Sequence, residues 1–151
     1  MKYWLIKSEP TCYSIDDLKR DKKTAWTGVR NSQARNYMAR DMAVGDLVLF
    51  YHSTVGEIGV AGIAKVVSKP HSDLTALLKK DDHYDPKATK ENPIWQCVDF
   101  SFVKKFNKVV TLPLIKMNPN LKGIMVAQTG SRLSVQPVSE KHFKEIVEMG
   151  K

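Results

Sequence analysis

Apolar residues in this chain fall into short runs that switch between the two-residue period of strands and the three-to-four-residue period of helices. Tyr3–Ile6, Asp46–Tyr51, Ile58–Val67, Ile94–Val103 and Leu133–Val135 are rich in β-branched or aromatic residues, and each is expected as a strand. In the fourth, Val98, Phe100 and Phe102 alternate with Asp99 and Ser101, the pattern of a strand with one buried face. In the second, Leu47-Val48-Leu49-Phe50 is apolar at every position, so both of its faces need cover.

Helix signals lie between these runs. Ser14 and Asp17 have capping-box spacing and open a short helix through Leu18. Asn31 is placed to cap a helix to about Met42, with Ala34, Tyr37, Met38 and Met42 on one face and Val44-Gly45 at its end. Ser72 is placed to cap Asp73–Lys80, Thr111 a turn through Ile115, and Ser139 a last helix whose stripe is Phe143, Ile146 and Val147. The longest polar stretch, Lys79 to Pro93, reads as an exposed loop. Short strands with small interleaved helices predict an α+β domain built on a compact β-barrel. No long helices separate the strands, so a doubly wound dinucleotide-binding sheet is not expected.

Composition changes this picture little. The 151 residues suit one domain, expected over 1–151, and 42% hydrophobic with 26% charged residues is ordinary globular usage. Charge is more informative. The net charge of +8 is uneven: residues 1–50 carry +3, 51–100 carry −1, and 101–151 carry +6. Four of the five arginines (Arg20, Arg30, Arg35 and Arg40, with Arg132 apart) lie between positions 20 and 40. Such an excess fits a polyanionic partner or simply a solvated basic face. Cys12 and Cys97 have no CxxC spacing, so neither a disulfide framework nor a zinc knuckle is supported. The apolar run after Met1 is too short for a signal peptide or a membrane span, and a soluble, cytoplasmic protein is expected. Without an obvious exposed apolar stripe, the expected state is a monomer.

Enzyme signatures are weak. Gly56, Gly59 and Gly62 are not followed by the helix that a dinucleotide site requires, and their neighbourhood reads better as a barrel bend. Thr129-Gly130-Ser131-Arg132-Leu133 lacks the second glycine of a nucleophile elbow. His83 among Asp81, Asp82 and Asp85 is a solvated loop or a weak cation site. A hydrolase using Ser8 or Ser53 with His52, backed by Glu9 or Glu57, is one alternative function, and an interaction barrel with an unused pocket is another. Three polar segments at strand ends carry more. Lys7–Pro10, Trp26–Asn31 and Tyr51–Ser53 supply aromatic faces, hydroxyls, an amide and cations, the inventory for stacking a flat base and pairing its edge. The competing reading makes Trp26 and Tyr51 core aromatics and Ser8 and Asn31 caps.

Those segments resemble a known family. Tyr3-Trp4-Leu5-Ile6-Lys7-Ser8-Glu9-Pro10, Tyr13–Leu18, Trp26-Thr27-Gly28-Val29-Arg30-Asn31, Val44-Gly45-Asp46, Tyr51-His52-Ser53, Asn92-Pro93-Ile94-Trp95 and Arg132–Val138 resemble, in order, the signatures of the EVE domain. The resemblance implies a PUA-like mixed β-barrel with short peripheral helices. It further implies a non-catalytic module, without cofactor or metal, that reads a modified cytosine or adenine in DNA or RNA. It places the base pocket at Ser8, Trp26, Val29, Asn31, Tyr51, His52, Ser53 and Ser134, with Arg30 on its rim. Arg30 and Arg35, with Lys104, Lys105 and Lys108, would attract the phosphate backbone. Thr27 stands where many family members carry aspartate, and Gln128-Thr129 where relatives are often basic.

Overall fold

The computed structural model describes residues 1–151. Its strands and helices, in chain order, are β1 (Tyr3–Ser8), α1 (Ile15–Asp21), β2 (Lys23–Ala25), α2 (Ser32–Asn36), β3 (Leu47–His52), β4 (Gly59–Val66), β5 (His71–Ser72), β6 (Gln96–Cys97), β7 (Asp99–Thr111), α3 (Leu112–Met117), β8 (Val135–Val138) and α4 (Glu140–Met149). Six strands form one mixed sheet in the order β2-β7-β4-β3-β1-β8, and β5 and β6 make a separate pair. Only β1 and β3 run parallel. The edges β2 and β8 do not pair, so the sheet is a half-barrel rather than a closed one.

Alternation along the strands explains how one sheet organises two cores. Trp4, Ile6, Val48, Phe50, Ala64 and Phe100 face one side and pack with Leu18 of α1, Ala34 of α2 and Met38 of the turn that follows it. Leu5, Leu49, Tyr51 and Ile63 face the other side, where Ile115 of α3 and Phe143 and Ile146 of α4 cover them. The uniformly apolar β3 is thus buried on both faces, as its sequence requires. The bend comes from register shifts in β3–β4 and β4–β7. At Gly62 a Cβ would run into the Lys104 carbonyl, so only glycine permits this approach.

Caps follow the sequence closely. Ser14 and Asp17 form a reciprocal capping box, and Asn31, Thr111 and Ser139 each accept a backbone N–H at the start of their helices. Differences have local causes. The helix from Asn31 changes to a wide π turn at Tyr37–Asp41 before Met42. Asp73 caps in place of Ser72, and only one 3-10 turn, Leu74–Leu77, follows. The expected strand Ile94–Val103 starts late, after Ile94 at φ +63°, and is divided between β6 at Gln96–Cys97, which pairs with β5, and β7 from Asp99. The latter continues to Thr111, its lysines lying on the exposed side and so hiding the strand from apolar pattern reading. The short β2, polar and largely exposed, has no apolar signal at all.

Candidate nucleic-acid interface

The ends of β1 and β2, the Thr27–Asn31 segment and the Asp82–His83 loop converge on a cavity of about 540 Å³. Ser8, Trp26, Val29, Arg30, Asn31 and Ser134 line it, so six of the residues singled out in the sequence meet there. Lys7, Glu9, Tyr13, Asp82 and His83 line it as well.

Trp26 is half-buried and forms the aromatic wall. Its ring is held at steep angles to Phe50 and Phe100, both 5.6 Å away between centroids, and to Tyr13 at 6.1 Å. Its main-chain N–H donates to the Val98 carbonyl, tying the wall to the sheet. Ser8 is nearly buried, and its hydroxyl donates to the Tyr13 carbonyl. Asn31 is both cap and cavity residue. Its Oδ1 accepts the Ala34 N–H at 3.0 Å, which fixes the side chain at the start of α2. Ser134 is positioned by its carbonyl, which accepts the Lys7 N–H. Lys7 sends its ammonium to the Ser131 carbonyl at 3.0 Å, and burial lowers its pKa.

Arg30 is committed to holding the loops. Its guanidinium donates to the carbonyls of His83 and Val29, to Thr75 Oγ1 at 3.0 Å and to Asp73 Oδ2 at 3.0 Å. Burial would raise the Asp73 pKa, but hydrogen bonds from Thr75, Gly28 and Arg30 outweigh it and hold the carboxyl below its ordinary value. Gly28 has φ +89°, and an added Cβ would lie 2.7 Å from the His83 ring. The Arg30 and Arg35 guanidiniums lie 5.4 and 5.3 Å from the Trp95 ring, while Trp95 Nε1 donates to Asp85. The expected exposed loop is therefore anchored to Trp26–Asn36 and supplies part of the cavity wall.

Several expected site residues lie elsewhere. Tyr51 is buried in the second core because strand alternation turns it away from the face of Phe50. His52 uses Nε2 to accept the Ile15 N–H at the start of α1. Burial depresses its pKa, with Lys105 adding to the effect and Asp16 opposing it. Ser53 binds the Ser8 carbonyl through its main-chain N–H. None of the three lines the cavity. Arg35 lies on Trp95, and Lys105 is paired with Asp16 at 2.8 Å. Lys104 and Lys108 are exposed on β7, away from the cavity lining. Of the five cations expected to attract phosphate only Arg30 lines the cavity, and Lys7 lines it as well. Lys7 belongs to the expected Lys7–Pro10 segment though not to the expected pocket, whereas Asp82 and His83, expected in a solvated loop or cation site, reach the cavity because His83 is joined to Arg30 across 53 residues, with no local signal.

The proposed hydrolytic residues do not assemble. The Ser8 hydroxyl and His52 Nε2 are each engaged by main-chain groups, not by each other. Another cysteine–histidine–carboxylate grouping occurs at β5–β6, where His71 meets Asp99 at 2.8 Å and Cys97 Sγ lies 3.6 Å from His71 Nδ1. Burial, with Asp73 and Asp99 nearby, pushes the Cys97 thiol up to about 12, so it stays protonated and unreactive at neutral pH. No three His, Cys, Asp or Glu side chains are grouped to hold a metal ion, and no helix is long and apolar enough to cross a membrane.

The EVE domain family model matches residues 2–149. Thymocyte nuclear protein 1 of Homo sapiens is 37% identical over 166 residues, which cover 97% of this chain and 73% of that protein. A solved structure of a hypothetical protein from Leishmania major is 51% identical with a TM-score of 0.93, covering 99% of this chain and 94% of that one. Human THYN1 protein in complex with 5-methylcytosine-containing DNA is 36% identical with a TM-score of 0.91, covering 100% of this chain and 98% of that one. The α+β, PUA-like fold expected from sequence therefore stands, in half-barrel form. The expected cytoplasmic location does not: the name thymocyte nuclear protein 1, shared by the vertebrate relatives, points to the nucleus.

Proposed function

The chain belongs to the EVE domain family, and we propose that it binds DNA and takes a modified cytosine into the cavity beside Trp26. The observation that carries the reading is the cavity itself. One aromatic wall, packed against Phe50 and Phe100, lines the cavity together with Ser8 and Ser134 at strand ends and Asn31 at the start of α2. A base must leave its stack to enter, at a cost of a few kcal/mol, and stacking on an aromatic ring returns ~1–3 kcal/mol. The balance explains why edge contacts then decide affinity. The complex of human THYN1 with 5-methylcytosine-containing DNA supports modified cytosine as the ligand.

Fluorescence anisotropy with paired oligonucleotides, identical except for one 5-methylcytosine or cytosine, tests the reading. The intact chain is expected to prefer the methylated strand. Trp26→Phe, which keeps an aromatic ring in the Phe50–Phe100 packing, should retain part of that preference, and Trp26→Leu should lose it. Equal affinity of the intact chain for both oligonucleotides would overturn the proposal.

A further inference from the structure

We infer that the cavity accepts bases whose edge presents an amino donor beside a ring acceptor, and rejects thymine; this rests on the base-reading function proposed above. The inference follows from the protons and lone pairs left over once the internal hydrogen bonds are made. The Tyr13 carbonyl has no proton to give, so its bond with Ser8 must consume the Ser8 hydroxyl proton. Ser8 then meets a ligand only as an acceptor. Asn31 carries the opposite bias. Its Oδ1 is held by the Ala34 N–H, which leaves the amide NH₂ to donate. Glu9 and Asp82 add carboxylate acceptors to the lining.

An acceptor and a donor lining one cavity complement the cytosine edge, with its N4 amino group and neighbouring ring nitrogen. Adenine offers the same order. Thymine offers an O4 acceptor where cytosine has its amino donor, so Ser8 would face an oxygen with no proton between them. A desolvated acceptor left unpaired is penalised more heavily than a missing methyl. The distinction matters because 5-methylcytosine and thymine carry the same methyl group. A pocket that recognised only that methyl could not separate them, and Ser8 supplies the missing criterion.

The test uses the intact chain and single-stranded oligonucleotides, so that pairing strength in a duplex does not enter. One central position carries 5-methylcytosine, cytosine, thymine or 5-methylpyrimidin-2-one, the last keeping ring and methyl but lacking the amino group. Binding of 5-methylcytosine at least about tenfold tighter than both thymine and the pyrimidinone is expected. Thymine bound as tightly as 5-methylcytosine, with both above cytosine, overturns the amino-edge inference while leaving base reading in place. No preference of 5-methylcytosine over cytosine overturns the reading itself. Ser8→Ala should narrow the ratio of 5-methylcytosine to thymine; should this variant not fold, the ligand series alone decides.

Discussion

Arg30 and Asp73 meet at 3.0 Å across 43 residues of sequence, with the aspartate side chain 1% exposed. The same carboxylate accepts the Gly28 N–H at 2.8 Å and both the N–H and hydroxyl of Thr75. One buried charge therefore joins the Trp26–Asn31 segment to the loop that carries His83. Removing one member of such a pair leaves the other without compensation, so Asp73→Ala is expected to cost about 3 kcal/mol. Urea unfolding of the intact chain and the variant measures it. A loss under about 1 kcal/mol would mean that the pair is screened by solvent rather than structural.

His52 gives stability a pH dependence with a defined sign. Its folded pKa lies below the ordinary value of ~6.5 because burial disfavours the imidazolium, and Nε2 must stay unprotonated to accept the Ile15 N–H. The unfolded chain therefore binds the proton more readily. The stabilisation is complete above pH ~6.5 and declines as pH falls toward the folded value. The thermal midpoint should drop as pH falls below about 6.5, and His52→Gln, which retains an acceptor, should flatten this part of the curve. Asp46 and Asp73 also have depressed pKa values, but they act only below about pH 4, so the two windows separate. An intact-chain profile flat from 7 to 5 contradicts the role given to His52.

Legibility in the sequence followed the range of the interactions. Ser14 with Asp17 and Asn31 with Ala34 act over three residues, and their spacing alone revealed the caps. The doubly apolar β3 announced a sheet covered on both faces. Trp26, Ser8 and Asn31 were found because each stands beside a strand end or helix start. Tyr51 was misplaced because a one-residue step along β3 reverses the face, and a motif contains no information on which residue of a pair turns inward. Arg30 lines the cavity as expected, but its internal role was hidden because its side-chain partners His83, Asp73 and Thr75 lie more than forty residues away.

Gly28 tests whether the His83 wall matters to binding. Its φ of +89° is unfavourable for an L side chain by roughly 1–2 kcal/mol, and a Cβ would press on the His83 ring. Gly28→Ala is expected to reduce stability by about that amount and to weaken binding of the methylated oligonucleotide. His83→Ala in the same background removes the clash but not the backbone strain. It should recover part of the lost stability without restoring binding. Full recovery of binding in the double variant would remove His83 from the recognition surface.

Lys7 and Arg30 are the two cations on the cavity wall, and their partners assign them different work. Arg30 has its guanidinium distributed over Asp73, Thr75 and two carbonyls, so a phosphate would have to displace existing bonds. The Lys7 ammonium makes one hydrogen bond, to the Ser131 carbonyl, and retains donors for an incoming anion. A cation that neutralises one phosphate contributes about 0.9 to the slope of log affinity against log salt for duplex DNA. Lys7→Gln should therefore lower that slope by nearly one and weaken methylated and plain duplexes alike, leaving their ratio unchanged. Arg30→Lys should instead reduce stability, with a salt slope close to that of the intact chain, because a single ammonium cannot span the four partners of the guanidinium fork. Lys104→Gln with Lys108→Gln serves as the comparison, since both lysines are exposed on β7 and neither lines the cavity. A slope that falls more for this pair than for Lys7→Gln would show that the phosphate backbone runs along β7 and that the cavity is entered from that side.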